Sequence, residues 1–387
     1  MSGTRAEFGL LEPLISALFA DERFEPALFV TGTHLSPAHG LTGREIEAKG
    51  FPIAARIEMQ LASDTGVGAA KSLGIAVLGF AEAFGGANLE GLVVLGDRYE
   101  VWGAAVSATL LGVPVIHISG GEVTEGAFDD SIRHSITKCA ALHLVSRESY
   151  RRRVIQMGED PARVVLTGPL HLDTIAKLKP WTAAELVART MLPRAARNLL
   201  VTYHPETRGL VATETAVAEL LAALDLVEDV NVLFTLPNAD PNSTLIAMAV
   251  RQYCAARQGR AAWVASLGQL GYLSAVSLSD VVVGNSSSGL TEAPALGRPT
   301  VNIGDRQKGR YMPESVLCVP GGDRHALVAA IRSAMSPEFV RTAEDVRNRE
   351  MQGAGLVVPA MVNAIVDRQQ LWSSRKSFYD LPENLPS

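Results

Sequence analysis

The chain has 387 residues, a formal net charge of −6, 47% hydrophobic residues and 20% charged residues. A negative charge balance argues against a nucleic-acid partner, because binding to the phosphate backbone needs a basic surface. The longest charge-free stretch, residues 101–121, is interrupted by Gly112, Pro114 and His117, so the sequence predicts no membrane span.

The length and the cysteines indicate the domain count and the compartment. At roughly 150 to 200 residues per domain, a chain of this size predicts two domains. Cys139, Cys254 and Cys318 are scattered and lack metal-ligand spacing. With no secretory signal visible, we expect a cytoplasmic protein with free thiols and no metal site.

The first half of the chain alternates short apolar runs with helical patterns. The apolar runs predict buried parallel strands at residues 27–31, 92–95, 115–118, 142–146 and 164–167. An apolar stripe over residues 10–18 and a nearly continuous apolar run over 99–111 predict helices between them. This alternation is typical of a doubly wound α/β fold, so we expect a Rossmann-like domain over residues 1–175.

A second series of strands is predicted at residues 199–203, 232–235, 281–283 and 300–303, after a polar helical stretch. It indicates a second Rossmann-like domain over residues 176–365, followed by a tail over 366–387. The aromatic residues of FYDLP (378–382) predict that the tail docks on the body of the protein. In such folds, ligands bind at the carboxyl ends of the strands.

Three motifs of the first half place ionisable groups at strand ends. In LGDRYE (95–100), Asp97 follows a strand, and a helix N-cap is an equally good interpretation. In HISGGEVTEG (117–126), paired glycines allow a close backbone approach before Glu122, whereas His117 is expected in the core. In DDSIRHSITK (129–138), spacings of four predict the pairs Asp129–Arg133 and Asp130–His134, unless this is merely a solvated helix.

The second half offers groups suited to an anion. GNSSSG (284–289) opens a helix with small residues whose N–H groups favour phosphate, although a serine cap with Glu292 is the alternative. GDRQKGR (304–310) adds Arg306, Lys308 and Arg310, which suit a diphosphate or form a plain basic loop. HPET (204–207) and PNAD (237–240) each place a polar group at a strand end.

In combination, these motifs resemble the hydrolysing UDP-N-acetylglucosamine 2-epimerases of sialic acid and legionaminic acid synthesis. The resemblance spans nearly the whole chain and also includes GTRAEFG (3–9) and GTH (32–34). It implies two Rossmann-like domains of the glycosyltransferase-B type, with UDP bound mainly by the second. The residues that it assigns to substrate binding are Arg5, Arg98, Arg133, Asn238, Ser286, Ser287, Glu292 and Arg306.

The resemblance also implies the reaction. UDP is eliminated across sugar carbons 1 and 2, and water adds to the glycal to give a free mannose-configured amino sugar. This needs acid and base groups, with no nicotinamide and no metal. Proton transfer and cation stabilisation are assigned to Asp97, Glu122 and Asp129 without division of roles, and His204 joins the catalytic set. The implied partners are the UDP-sugar and water, in a homo-oligomer such as a dimer or tetramer.

Two departures from the family pattern bear on these expectations. Some members carry glutamate or histidine immediately before the paired glycines, where this chain has Ser119. Serine is a poor base at neutral pH, so we expect Glu122 to serve instead. Family members also enter GTRAEFG from a hydrophobic strand, so an upstream start is expected here.

Three alternative functions remain open at this level. A glycosyltransferase of the same fold would need an acceptor, and a non-hydrolysing epimerase would keep UDP on its product. An inactive nucleotide-sugar sensor would bind UDP without turnover. The substrate is either UDP-N-acetylglucosamine or UDP-N,N′-diacetylbacillosamine, which differ at sugar carbons 4 and 6.

Overall fold

The computed structural model describes residues 1–37, 40–63, 65–125, 128–206, 211–237 and 242–382. Its strands are β1 (Leu28–Thr31), β2 (Ile53–Ile57), β3 (Leu92–Leu95), β4 (Val115–Ile118), β5 (Ala140–Val145), β6 (Val164–Leu166), β7 (Arg197–Thr202), β8 (Val230–Thr235), β9 (Ala261–Val264), β10 (Val281–Gly284), β11 (Thr300–Ile303) and β12 (Val316–Val319).

The helices fall between the strands, as the alternation predicts. They are α1 (Arg5–Ala20), α2 (Gly43–Ala48), α3 (Gly66–Gly85), α4 (Tyr99–Leu110), α5 (Asp129–Cys139), α6 (Glu148–Gln156), α7 (His171–Ala176), α8 (Ala183–Thr190), α9 (Thr213–Asp225), α10 (Ser243–Ala255), α11 (Gly268–Leu278), α12 (Glu292–Ala295), α13 (Arg324–Ala334), α14 (Pro337–Glu350), α15 (Val357–Asp367) and α16 (Gln369–Trp372).

The chain folds into two compact units. Unit 1 comprises Met1–Glu122, Asp129–Asp173 and Gly355–Ser387, and unit 2 comprises Val123–Phe128 and Thr174–Ala354. The predicted assignment of residues 355–365 to the second domain is therefore wrong. The carboxylate of Asp173 accepts hydrogen bonds from the backbone N–H groups of Gly355, Val357 and Val358, at 2.7, 3.3 and 2.7 Å, and these bonds hold the start of α15 in unit 1.

Unit 1 is built on parallel strands. One sheet has the order β3-β4-β5-β6, and β1 pairs with β2 in another. Ser2 forms an isolated parallel bridge to Val30, donating to the Phe29 carbonyl at 2.9 Å. Because the strands of the first sheet are parallel, the turns after β3, β4 and β5 emerge at one edge, where Asp97 and Ser119 lie.

The helix α3 is long and apolar enough to meet a length-and-composition criterion for a membrane span, with 28% of its most apolar window buried. Its buried residues recur every fourth position, at Gly68, Ser72, Ala76, Phe80 and Phe84. This single stripe is the pattern of a helix that packs one face on a sheet or on a neighbouring helix. The helix packs along α4, where a Cβ on Gly103 would lie 2.9 Å from that of Ala76.

Unit 2 contains a parallel sheet with the order β12-β11-β10-β7-β8-β9. From β7 the chain first moves outward in one direction to β9 and then returns to β10 and moves outward in the other. The strand order therefore reverses between β7 and β10. In open α/β sheets, the crevice at such a reversal is where ligands bind.

Every strand predicted from an apolar run is present, with ends that differ by at most two residues. The strands β2, β9 and β12 were not predicted. Each lies at the edge of its sheet, and the burial of β2 alternates along Ile53–Ile57. The strand β2 carries Arg56 and so lacks the continuous apolar run of a central parallel strand, whereas β9 and β12 are apolar along their length.

Docking of the tail on unit 1 rests on a buried carboxylate. Glu159 is fully buried and accepts from Lys138 Nζ at 2.6 Å and from Lys376 Nζ at 3.1 Å. The ring of Phe378 lies where a Cβ on Gly158 would stand, and Tyr379 donates to the Gly158 carbonyl at 3.0 Å. Residues 376–379 are thereby fixed to the end of α6 and the loop after it.

Candidate functional site

Asp97 lies in the turn that follows β3. Gly96 has φ +82°, a left-handed conformation that glycine adopts without strain. The residue at the N-cap position of α4 is Arg98, so the interpretation of Asp97 as the helix cap is wrong. The Asp97 carboxylate instead accepts a hydrogen bond from Nη2 of Arg133, which is 2% exposed. A buried cation thus orients the carboxylate.

Arg98, assigned to the substrate by resemblance, pairs with Glu100 in the same turn. Its Nε donates to Glu100 Oε1 at 2.6 Å, and the Glu100 side chain is 2% exposed. Sequence reasoning missed Glu100, although a glutamate two residues after an arginine at a helix start was a visible signal. This ion pair fixes the orientation of the Arg98 guanidinium at the start of α4.

His117 is a core residue of β4, as expected. The ring is fully buried, and its Nε2 donates to the Gly96 carbonyl at 2.8 Å, while Nδ1 lies 3.3 Å from Thr137 Oγ1. Burial lowers the pKa of His117 to about 3. The neutral imidazole therefore holds the backbone immediately before Asp97, a positioning role that the sequence did not reveal.

The turn from Ser119 to Gly121 depends on small residues. Ser119 has φ +64° and Gly121 has φ +80°. A Cβ on Gly121 would lie 2.5 Å from the Tyr150 carbonyl oxygen, and one on Gly120 would lie 3.0 Å from His117 Nδ1. The close approach that the paired glycines predicted is present. This turn places the partly buried Glu122 at the same edge of the unit 1 sheet as Asp97.

The helix α5 begins at Asp129 and Asp130, whose charges favour its N-terminus. The predicted pair Asp130–His134 forms, with Oδ2 and Nε2 3.7 Å apart. Burial lowers the pKa of His134, and Asp130 opposes this shift. Arg133 reaches across to Asp97, which the fourfold spacing with Asp129 did not predict. Two predicted catalytic carboxylates are thus attached to α5: Asp129 belongs to it, and Asp97 is bound by its Arg133.

In unit 2, Asn285 joins the turns that follow β7 and β10. Its side chain is fully buried, and Oδ1 accepts from the backbone N–H of His204 at 2.7 Å. Its Nδ2 donates to the His204 carbonyl at 2.8 Å. Both bonds lie at the point where the strand order reverses, so Asn285 fixes His204 at the expected ligand crevice.

The GDRQKGR turn after β11 is attached to the same asparagine. Nη1 of Arg306 and Nε2 of Gln307 donate to the Asn285 carbonyl at 3.1 and 2.8 Å. Gln307 is 1% exposed. Asn285 and Gln307 were not predicted from the sequence, although both lie within the GNSSSG and GDRQKGR motifs, because uncharged amides do not by themselves indicate an anion site.

Glu206 packs under the turn at Gly304. A Cβ on Gly304 would lie 2.0 Å from Glu206 Oε1, and Gly304 has φ +73°, so this position requires glycine. Burial and the nearby Asp305 raise the pKa of Glu206. This glutamate of HPET was not among the predicted residues, and it supports the loop that carries Arg306.

The serine motif forms a short turn at the start of the next helical segment. Ser286 caps the 3-10 turn Ser287–Gly289 by accepting from the Ser288 backbone N–H at 3.4 Å. The serine cap of the alternative interpretation is therefore present, but Glu292 is not part of it, because α12 begins separately at Glu292. Burial raises the pKa of Glu292, and burial together with the Glu292 charge raises that of Tyr272 to about 12. Ser287 lies in the turn itself, partly exposed.

Two predicted substrate residues stand apart from these clusters. Nη2 of Arg5, in the first turn of α1, lies 3.0 Å from Glu45 Oε1 of α2. Asn238 lies outside the described residues. Among the residues that are described, no group of three or more His, Cys, Asp or Glu side chains is arranged to hold a metal ion.

Comparisons with known proteins agree on one family. The family described as UDP-N-acetylglucosamine 2-epimerase matches residues 16–365. The chain is 38% identical to the GDP/UDP-N,N'-diacetylbacillosamine 2-epimerase (hydrolyzing) of Campylobacter jejuni, and the match covers 82% of each protein. It is 33% identical to the polysialic acid biosynthesis protein P7 of Escherichia coli, over 99% of this chain and 97% of that protein.

A solved structure shares the fold. The UDP-GlcNAc 2-epimerase from Neisseria meningitidis, bound to UDP-GlcNAc, superposes with a TM-score of 0.77 at 15% identity, over 94% of this chain and 98% of that one. At this identity the likeness concerns the fold alone. The expected pair of Rossmann-like domains is confirmed.

Proposed function

Because the chain belongs to the UDP-N-acetylglucosamine 2-epimerase family, we propose that it hydrolyses a UDP-linked 2-acetamido sugar with inversion at carbon 2. The products are UDP and the free mannose-configured sugar. The observation that carries the nucleotide assignment is Asn285 at the strand reversal of unit 2: its side chain binds the His204 backbone, and its backbone carbonyl accepts from Arg306 and Gln307.

The cradle in unit 2 suits the UDP portion on chemical grounds. Arg306 supplies a guanidinium for the diphosphate, and the turn after Ser286 presents backbone N–H groups of the kind that bind phosphate. We assign Glu292 to accept hydrogen bonds from the ribose hydroxyls. We assign the predicted contacts of Ser287 and Asn238 to the same nucleotide, and those of Arg5, Arg98 and Arg133 to the substrate.

The reaction balances with water as the only second substrate. A base removes the proton from carbon 2, the bond between carbon 1 and the UDP oxygen breaks, and UDP leaves with that electron pair. Water then adds across the glycal, with hydroxyl to carbon 1 and a proton to the opposite face of carbon 2. Each proton transfer needs a positioned acid or base.

The carboxylates of unit 1 are assigned to these transfers. Asp97 and Glu122 follow the paired strands β3 and β4, whose register places Leu95 beside Ile118. We assign the base role to Glu122, because Ser119 is a poor base, and we assign cation stabilisation to Asp97 and Asp129. His204 completes the proposed catalytic set.

The Campylobacter relative is named for a diacetylbacillosamine sugar and the Escherichia coli relative for polysialic acid biosynthesis. We therefore propose UDP-N,N′-diacetylbacillosamine or UDP-N-acetylglucosamine as substrate, in the synthesis of a sialic or legionaminic acid. A cytoplasmic homo-oligomer is part of the same proposal.

The deciding experiment follows both UDP-sugars separately by proton NMR in deuterium oxide. We expect release of UDP together with a free mannose-configured sugar that carries deuterium at carbon 2. A parallel sample with a GDP-linked sugar tests the nucleotide, because the Campylobacter relative is named for both. The sugar that turns over identifies the substrate.

Three other outcomes would contradict the proposal, and each identifies a rival. Epimerisation of a sugar that stays attached to UDP indicates a non-hydrolysing epimerase. Release of UDP only when an acceptor is added indicates a glycosyltransferase. Binding of UDP without turnover of any sugar indicates a sensor in which Ser119 replaced a required base.

A further inference from the structure

Unit 2 has a second concave region at the other ends of two helices that serve the nucleotide cradle. The helix α11 carries Tyr272 near the cradle and Ser277 in this region, while α12 begins at the cradle with Glu292 and ends here. The depression has a volume of about 560 Å³. It is lined by Ile175, Ser277, Ala295, Leu296, Arg298, Arg347, Asn348, Met351 and Gln352.

Two arginines in this lining have side chains that bond to no other described residue. Among the described residues, neither the Arg298 nor the Arg347 side chain makes a hydrogen bond or an ion pair, and Arg298 Nε is buried. Arg260, another half-buried arginine of unit 2, instead donates to the carbonyls of Leu224 and Val227. The buried Nε of Arg298 has no hydrogen-bond partner, and an anion bound in the depression would supply one.

The surrounding charges leave this region positive. Two carboxylates near Arg298, those of Asp280 and Glu344, favour its positive charge, whereas the guanidinium groups of Arg194 and Arg347 repel it. Asp280 already accepts from the Asn198 backbone N–H at 2.7 Å. Burial lowers the pKa of the Arg298 guanidinium. Withdrawal from water therefore disfavours its charge, and a bound anion would offset that cost.

We propose that this depression binds a small molecule that carries an oxyanion, either phosphate or carboxylate, on an apolar body. Arg298 and Arg347 take the oxyanion, since guanidinium groups bind such groups bidentately. Ser277, Asn348 and Gln352 add hydrogen-bonding groups at its margin, and Ile175 and Met351 supply the apolar wall. This site is additional to the nucleotide cradle.

The test uses phenyl phosphate and benzoate as probes, titrated separately into the full chain with UDP present to occupy the cradle. Isothermal titration calorimetry is run on the wild type, Arg298→Gln and Arg347→Gln. The control is Arg332→Gln, which removes an exposed positive charge of α13 elsewhere in unit 2. We expect each pocket variant to weaken binding at least about tenfold and the control to leave it unchanged.

The tighter probe identifies the oxyanion as phosphate or carboxylate. Equal affinity in the wild type and both pocket variants, or no binding of either probe to the wild type, overturns the proposal. Arg347 is exposed, so its variant keeps the test valid if Arg298→Gln does not fold. A wild type that fails to bind UDP contradicts the proposed function alone, because weaker probe binding by Arg298→Gln and Arg347→Gln still reports on this depression.

Discussion

Arg133 Nη2 donates to the carboxylate of Asp97, 36 residues away in sequence. The arginine side chain is 2% exposed and the aspartate 18% exposed, so the ion pair is largely shielded from water. A buried pair of this kind positions its partners strongly, and loss of one partner leaves the other uncompensated. The stability and the activity of unit 1 should both depend on it.

We expect Arg133→Met to lower the free energy of unfolding by about 3 kcal/mol, because it removes the guanidinium from the largely buried Asp97 carboxylate. The double variant Asp97→Asn/Arg133→Met should recover part of that loss, since no uncompensated charge remains. Urea unfolding of the wild type, both single variants and the double variant gives the interaction energy as a double-mutant cycle. Strictly additive losses would show that the pair does not couple.

Glu122→Gln should reduce turnover by at least about 100-fold, because glutamine cannot accept the proton from carbon 2. UDP affinity should stay unchanged, since the cradle lies in unit 2. Turnover is measured as UDP release and affinity by calorimetry. Glu148→Gln, at an exposed glutamate of α6, is the matched control and should be fully active. Near-normal turnover of a folded Glu122→Gln protein would assign the base elsewhere.

Asn285→Ala should abolish measurable UDP binding, because the variant loses both side-chain bonds to the His204 backbone. Unfolding should also become easier by about 2 to 4 kcal/mol, since two buried backbone groups lose their partners. Asn231→Ala is the control: Asn231 Nδ2 donates to the Pro193 carbonyl at 2.8 Å, away from the cradle. It should lose stability and keep UDP affinity, so equal losses of affinity in both variants would refute a positioning role for Asn285.

Acid should destabilise the chain through its buried histidines. Burial places the pKa of His117 and of His171 at about 3, against about 6.5 in the unfolded chain. Between these values the unfolded state binds more protons, so stability is full above pH 6.5 and falls as the pH drops. From pH 7 to pH 5, each histidine should cost about 2 kcal/mol.

His117→Gln tests the contribution of one of these groups. The glutamine amide can donate to the Gly96 carbonyl as Nε2 of His117 does, but it does not titrate. Urea unfolding at pH 7, 6 and 5 should show a shallower loss of stability in the variant than in the wild type. The same slope in both proteins would mean that other groups account for the acid sensitivity.

Much of the fold was readable from the sequence because the central strands of parallel sheets are buried on both faces. Runs such as Val281–Gly284 and Leu92–Leu95 contain no polar side chain and stand out. The edge strand β2 faces water in part and carries Arg56, so its pattern is mixed, whereas the missed strand β12 is a four-residue apolar run. The candidate site positions were likewise predicted from strand ends, and Asp97 and His204 do lie in the turns that follow β3 and β7.

Sequence by itself determined the class of fold, the family and the set of groups available for chemistry, since these depend on local patterning and on motif order. Tertiary structure decided which groups meet. Arg133 bonds to Asp97 on another element, a contact that its spacing from Asp129 along α5 does not predict. Asn285 joins the turns that follow β7 and β10. The backbone of α15 is held in unit 1 by its hydrogen bonds to Asp173. Such contacts join residues far apart in the chain, and the sheet order and strand register that create them are set by packing of the whole molecule.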